Sequence, residues 1–274
     1  MRVSTVLLVG LAASRVAIAK RVGMTNFYDL CDQVQGALGY PCEHVNVTTG
    51  DGFVLDVVHI PPRANATAAY PVVLQHGLLD SAVTFFANAH PYQNLACMLH
   101  DAGYDVYVPN SRGNHYSMAN TQYNSGEAEY WRRIDMDFMA SEDLPAVIDT
   151  VLRLSGRTTL TWVGHSQGTW QAFSAFSTSR PEYAAKVDLF VALAPACRVK
   201  HQRSWILSLL ADLDVPQILA LFGDKEFLAN DWLIRQFTKI CPDIGELCPD
   251  VLELIVGNGN VSDYNRTQLQ TILR

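Results

Sequence analysis

Short apolar runs separated by polar, turn-rich stretches divide the first two thirds of the chain into compact elements. The stretch HVNVTTGDGFVLDVVHI predicts a β-hairpin, because two β-rich runs flank a turn at residues 50–52. The apolar runs at 71–77, 105–110 and 188–196 are typical of buried strands. The segment between the second and third of these runs opens with residues 110–126, which are polar and turn-rich.

Helical patterns lie between the predicted strands. The stretch AHPYQNLACMLHDAG predicts a helix that stops at Gly103. A second helix is predicted from about Leu144, with Pro145 in its first turn and Gly156 at its end. Its apolar residues recur at i, i+4 spacing, so one face should pack on a sheet; they are Val147, Ile148, Val151 and Leu152. Because strands alternate with helices, we predict an α/β fold with a mostly parallel sheet covered on both faces.

The pattern changes after residue 197. The stretches WILSLLADL, PQILALFG and LIRQFTKI are Leu-rich and helical, with no strand between them. We therefore predict a core formed by residues 20–197 and a smaller helical cap formed by residues 198–274.

The first 19 residues have the pattern of a secretory signal peptide. Arg2 precedes an apolar run, and small residues at 17–19 suit cleavage before Lys20. The apolar run is too short to span a bilayer, although an uncleaved anchor is the alternative. No later segment is apolar enough to span one, so we predict a secreted (extracellular) or lysosomal protein with no transmembrane segment after cleavage. Four N-x-S/T sequons suit glycosylation in the secretory pathway: Asn46, Asn65, Asn260 and Asn265.

Six cysteines would enter an oxidising compartment. Cys31 and Cys42 are close in sequence and could pair, and Cys241 and Cys248 could do the same. The remaining two lie in or directly after apolar stretches, which favours buried free thiols; they are Cys97 and Cys197. Spacing alone does not fix the connectivity.

Composition and charge narrow the function classes. The chain of 274 residues is 49% hydrophobic and 17% charged, which is typical of a packed globular protein. A net charge of -7 and the lack of a basic run argue against nucleic acid as a partner. The eight histidines show no metal-ligand spacing, and no G-x-G-x-x-G follows a strand. We therefore predict no metal and no cofactor.

The stretch LTWVGHSQG at residues 160–168 carries the candidate chemistry. Four strand-like residues lead into a G-x-S-x-G pattern, and the plausible helix TWQAFSAFSTS follows, which together predict a nucleophile elbow. Ser166 would be the nucleophile, and Gly164 and Gly168 would leave space where a Cβ would clash. A chance match is the alternative, but the flanking strand and helix favour the functional interpretation.

An acyl-transfer site also needs donors for an oxyanion. The backbone N–H of Gln167 is the first candidate, because it follows the nucleophile. The N–H of Leu78 is the second, since HGLL follows an early strand and Gly77 lets the chain turn back towards Ser166. We expect His76 to be a hydrogen-bonded histidine at a strand end and not a catalytic group.

Several motifs together resemble one family. HGLLDS, DAGYDVYVPNSRGN, DLPAVID, GHSQGT and ALAPA, in this order, resemble the acid lipases, the α/β-hydrolase group of gastric and lysosomal acid lipases. The resemblance continues through GDKEF and the pair Cys241 and Cys248, which the family bridges within its cap. It implies an α/β-hydrolase fold with a partial helical cap and hydrolysis of triacylglycerols or sterol esters at a lipid–water interface. It also implies Ser166 as nucleophile with Leu78 and Gln167 as oxyanion donors, and a neighbouring His165 that does not act as the base.

The chain departs from that family in one respect. In this fold an Asp and then a His follow the nucleophile, and the family places both beyond the position of Arg274. His201 is the only histidine after Ser166, and we do not favour it as a substitute base. We therefore expect the last strands of the sheet and the triad Asp and His to be missing, as in an incomplete lipase or a short non-catalytic paralogue. The alternatives are an inactive lipid-binding protein on the same fold and, disfavoured by the motifs, a thioesterase or peptidase.

Overall fold

The computed structural model describes residues 29–197 except 65, 67, 68 and 89. Several predictions fall outside the described residues: the signal peptide at 1–19, the cap at 198–274, His201, Cys241, Cys248, Asn65, Asn260 and Asn265.

Seven strands form one mixed sheet in the described part of the chain. They are β1 (Glu43–Thr48), β2 (Phe53–Ile60), β3 (Pro71–Gln75), β4 (Asp105–Pro109), β5 (Ala119–Asn120), β6 (Leu160–His165) and β7 (Val187–Leu193). Their order is β1-β2-β4-β3-β6-β7, and β5 pairs with β2. Strands β4, β3, β6 and β7 are parallel, whereas β1, β4 and β5 pair with β2 in antiparallel fashion. The carboxyl ends of the four parallel strands therefore meet at one edge of the sheet.

The predicted hairpin is confirmed. Strands β1 and β2 pair from Glu43 opposite His59 to Thr48 opposite Val54. The turn closes as the Thr49 N–H donates to the carbonyl of Phe53 over 2.8 Å.

The helices follow the predicted alternation. They are α1 (Leu30–Gln33), α2 (Leu95–Asp101), α3 (Ala128–Arg132), α4 (Met136–Phe138), α5 (Leu144–Ser155) and α6 (Gln167–Ser174). Helix α5 begins with Pro145 in its first turn and ends at Gly156, whose φ of 67° is left-handed, as predicted. Three π-helical turns that the sequence did not predict follow α1, precede α5 and follow α6; they are Val34–Leu38, Met139–Asp143 and Ala175–Ser179. Short 3₁₀ turns cover Ala82–Phe85, Pro91–Gln93 and Pro181–Lys186.

Apolar layers cover both faces of the sheet. On one face, Val147, Ile148 and Val151 of α5 pack against strand residues that include Trp162 and Tyr107. On the other face, α1 and α2 pack against a second apolar cluster of the strands, which includes Leu74. Because each layer removes large side chains from water, the sheet is a rigid platform for whatever projects from its edge.

The cysteines of the described residues match the predictions with one exception. Cys31 and Cys42 form a disulfide, and Cys97 is a buried free thiol. Cys197 is free but exposed, so its predicted burial is wrong. The reason is that β7 lies at the edge of the described sheet, where its last residue, Leu193, is also exposed.

Two surface observations bear on the secretory predictions. Asn46 lies at an exposed position of β1, where an N-linked glycan can be accommodated. None of the helices between residues 29 and 197 combines the length and hydropathy that crossing a membrane requires.

Candidate active site

Ser166 lies at a sharp turn between β6 and α6, at the carboxyl edge of the parallel strands. Its φ of 49° and ψ of -111° are strained for a residue with a side chain. Two contacts hold the turn: the Ser166 N–H donates to the Leu193 carbonyl over 2.9 Å, and the Thr169 hydroxyl donates to the Ser166 carbonyl over 2.6 Å. This is the strand–turn–helix context that the G-x-S-x-G pattern predicts.

Two glycines make the turn sterically possible. A Cβ on Gly164 would lie 2.5 Å from the Gly168 carbonyl oxygen, and one on Gly168 would lie 2.6 Å from the Gln75 carbonyl oxygen. Both clashes involve backbone atoms, which cannot rotate away. The spacing of the motif is therefore dictated by close contact between β6, α6 and the end of β3.

Gln167 is the first residue of α6. The backbone N–H groups of a first helical turn have no partner within the helix, and the positive end of the helix dipole lies there. The buried side chain of Gln167 contacts the Met139 sulfur at 3.1 Å, so it is held inside the protein. The Gln167 N–H is thus available to a negatively charged oxygen formed beside Ser166.

The loop after β3 brings the second predicted donor to the same place. A Cβ on Gly77 would lie 3.2 Å from the Ser166 Cβ, so the loop passes close to Ser166 with no room for a side chain. Within the described part of the chain, the N–H of Leu78 has no hydrogen-bond acceptor. Leu78 and Leu79 are 68% and 72% exposed, so this loop presents an apolar rim. The structure therefore brings Ser166, Gln167 and Leu78 together, while their roles stay predictions.

His76 is a satisfied buried histidine, as predicted. Its ring is 2% exposed, and each nitrogen has a partner. Nδ1 lies 2.8 Å from the Gly77 carbonyl oxygen, and Nε2 accepts from the Ser111 N–H over 3.0 Å. Burial lowers the pKa of His76, so the ring is neutral.

A buried ion-pair cluster near the site was not predicted from the sequence. The guanidinium of Arg112 is fully buried and pairs with Asp51 at 2.7 Å and with Asp143 at 2.6 Å. It also lies 4.3 Å from the centre of the Phe53 ring. Burial raises the pKa of Asp143 to about 6, and the positive charge of Arg112 opposes this shift. Since Arg112 follows Ser111, the cluster fixes the loop that reaches His76. The motif NSRGN was the only sequence signal for this cluster.

Two other features of the described residues do not add to this site. Asp29, Cys31 and His44 lie close enough together to hold an ion, but the Cys31 sulfur is in a disulfide and His44 is already bonded to two carboxylates. A groove of about 840 Å³ is lined by residues such as His59 and Asp105. It lies at the amino edge of β4 and so faces away from Ser166.

A general base for Ser166 is not found among the described residues. The Ser166 hydroxyl forms no hydrogen bond to a histidine anywhere in residues 29–197. His201 lies outside the described residues, so its role stays as predicted from the sequence.

Known proteins match the chain over most of its length. A family model described as "alpha/beta hydrolase fold" matches residues 70–230, and one described as "Partial alpha/beta-hydrolase lipase region" matches residues 31–89. Human gastric triacylglycerol lipase is 41% identical over 245 residues, which cover 86% of this chain and 60% of that protein. Human lipase member M is 38% identical over 256 residues, which cover 91% of this chain and 59% of that protein.

The chain spans about 60% of the length of these curated relatives. Among solved structures, epoxide hydrolase A from Mycobacterium thermoresistibile is 22% identical, with a TM-score of 0.41, over 62% of this chain and 44% of that one. The family assignment depends instead on the family model, which covers more than half of the chain, and it agrees with the parallel strands and the elbow. The resemblance to the acid lipases is confirmed by the two lipase relatives, and the chain belongs to the α/β-hydrolase fold family.

Proposed function

We propose that this protein is a serine ester hydrolase that acts on neutral lipids, triacylglycerols or sterol esters, through an acyl-enzyme at Ser166. The observation that carries the proposal is the strained Ser166, which lies beside two backbone N–H groups that have no acceptor among the described residues. The lipase names of the relatives support the choice of substrate class.

The proposed chemistry follows from the positions of these groups. The Ser166 oxygen attacks the ester carbonyl, and the N–H groups of Leu78 and Gln167 stabilise the negative charge that forms on the carbonyl oxygen. The positive end of α6 adds to this stabilisation. A histidine oriented by a carboxylate takes the serine proton and passes it to the leaving alcohol. We propose that both groups come from outside the described residues.

The surroundings of the serine support an apolar substrate. Leu78 and Leu79 expose most of their side chains beside Ser166, although burying them would be favourable. An acyl chain that lies across this rim would remove both side chains from water. Polar esters would leave them exposed, so we expect longer acyl chains to be preferred.

Fluorophosphonate labelling tests the proposal, because the probe reacts with an activated serine whatever the substrate. The protein as produced in its native cells should be labelled and should hydrolyse triolein or cholesteryl oleate. Ser166→Ala should abolish both signals, whereas Ser174→Ala on the same helix should retain them. A folded protein that is not labelled would contradict the proposal. If such an unlabelled protein still bound lipid, the alternative of an inactive lipid-binding protein would be supported.

We also propose that the protein passes through the secretory pathway. The Cys31–Cys42 disulfide and the exposed sequon at Asn46 support an oxidising, glycosylating compartment. Glycosidase treatment should lower the apparent mass of the native protein, and Asn46→Gln should remove one step of that change.

A further inference from the structure

We propose that His76 is a positioning residue of the oxyanion hole, oriented by the backbone of Ser111 and acting on the Gly77–Leu78 peptide. The catalytic consequence rests on the function proposed above. The geometry itself rests on five hydrogen bonds of His76 and Ser111 in the described residues.

The first step is the choice of tautomer. A backbone N–H can only donate, so the Ser111 N–H that lies 3.0 Å from Nε2 of His76 forces this nitrogen to be the acceptor. In a neutral ring the proton must then be on Nδ1. Burial lowers the pKa of His76, so the doubly protonated ring does not compete. The Asn114 amide, 3.4 Å from Nε2, is a second donor on the same side.

The second step orients a peptide group. The Nδ1–H of His76 donates to the Gly77 carbonyl oxygen over 2.8 Å. In a planar trans peptide, the N–H of the next residue points in the direction opposite to that carbonyl. The Leu78 N–H therefore points away from His76. Because Gly77 contacts Ser166, this direction keeps the donor on the serine side of the loop.

The third step ties this loop to the helix that carries the other donor. The Ser111 hydroxyl oxygen accepts from the side-chain amide of Gln75 over 3.0 Å and from that of Gln171 over 3.5 Å. Gln171 belongs to α6, whose first backbone N–H is that of Gln167. Ser111 thus contacts His76, which precedes the Gly77–Leu78 peptide, and Gln171, which lies on the helix that begins at Gln167. A shift of Ser111 would change the distance between the two donors.

These contacts exclude a role for His76 as the general base. Both ring nitrogens are occupied by backbone partners, and the ring is almost fully buried. Mere filling of the core would not need the Nδ1–H bond. If His76 positions the loop, a variant that restores a donor at the Nδ1 site should restore function. If His76 only fills the core, any apolar substitute should suffice.

Three variants of the native protein separate these possibilities. His76→Leu removes all the hydrogen bonds of the ring. His76→Asn keeps an amide N–H near the Nδ1 site and is the conservative rescue. His100→Leu is the matched control, because His100 is buried and its ring forms no hydrogen bond among the described residues.

Ester hydrolysis should show a loss in kcat with little change in KM. We expect His76→Leu to lower kcat by about 100-fold, the loss typical of an oxyanion donor, while His76→Asn recovers most of it. His100→Leu should retain the wild-type kcat. The proposal is overturned if folded His76→Leu matches His100→Leu in kcat, or if His76→Asn is no better than His76→Leu.

A second measurement does not depend on activity. In ¹⁵N NMR spectra of the wild type, His76 should show a protonated Nδ1 and an unprotonated Nε2, and the Leu78 amide signal should move in His76→Leu but not in His76→Asn. If the wild type hydrolyses no ester, the proposed function fails, and these signals alone decide the positioning. The opposite tautomer, or an unchanged Leu78 signal in His76→Leu, would overturn the inference.

Discussion

The strained backbone of Ser166 predicts that this residue, the proposed nucleophile, lowers the stability of the folded protein. Its φ of 49° combined with a ψ of -111° lies outside the left-handed helical region and is disfavoured for every residue except glycine. Ser166→Ala removes the hydroxyl but keeps the Cβ, so it retains the strain. Ser166→Gly removes both. The comparison between the two variants therefore isolates the backbone cost, because neither has a nucleophile.

The magnitude follows from two opposing contributions. Strain of this kind costs about 1–3 kcal/mol, which Ser166→Gly should release. Glycine also gives the unfolded chain more freedom, which lowers stability by about 0.4–1 kcal/mol. From the midpoints of these two ranges, the glycine variant should exceed the alanine variant in free energy of unfolding by roughly 1.3 kcal/mol.

Urea titration of both variants, followed by tryptophan fluorescence, measures this difference if the slopes are equal. Ser174 provides the control, since its φ of -65° and ψ of -47° are helical. There the order should reverse, with Ser174→Gly less stable than Ser174→Ala by about 0.5–1 kcal/mol. If Ser166→Gly proved no more stable than Ser166→Ala, the argument from strain would be refuted.

Three further predictions concern packing and pH. Gly164→Ala should lower the free energy of unfolding by about 1–3 kcal/mol, measured by urea titration, because its Cβ meets the Gly168 backbone. The raised pKa of Asp143 means that the folded state holds its proton more tightly, so stability should fall as pH rises from 3.8 to about 6; Asp143→Asn should flatten this part of the urea-midpoint profile. Hydrogen bonding to Asp56 raises the pKa of His44 from 6.5 to about 9. Its stabilisation should therefore be complete below pH 6.5 and lost towards pH 9, so the advantage of the wild type over His44→Gln in thermal unfolding should shrink across that range.

Local signals predicted most of the sheet and the elbow. The turn at 50–52 and the left-handed end of α5 at Gly156 are encoded by residues next to each other in sequence. The same holds for the elbow, since the glycines at 164 and 168 mark the positions where backbone segments pack against each other without room for a Cβ. Such features need no knowledge of distant partners.

Features that depend on distant partners could not be predicted. Arg112 lies in a polar, turn-rich stretch, which is typical of a protein surface. It is nevertheless buried, because it pairs with Asp51 and Asp143, which are 61 and 31 residues away in sequence. The three π-helical turns left no mark in the apolar periodicity. The exposure of Cys197 likewise depends on the position of β7 at the edge of the described sheet and not on the apolar residues that precede Cys197 in sequence.

The tight packing around Ser166 has a practical consequence for protein engineering. Substitutions at Gly77, Gly164 and Gly168 would displace backbone atoms or Ser166, so a library designed to change substrate range should leave them fixed. The side chain of Leu78 can be varied, since it is exposed and the proposed N–H donor belongs to the backbone. At Leu79 the φ of 55° restricts the useful choices to glycine, asparagine and aspartate. Two adjacent leucines thus offer the shortest route to altered acyl-chain selectivity.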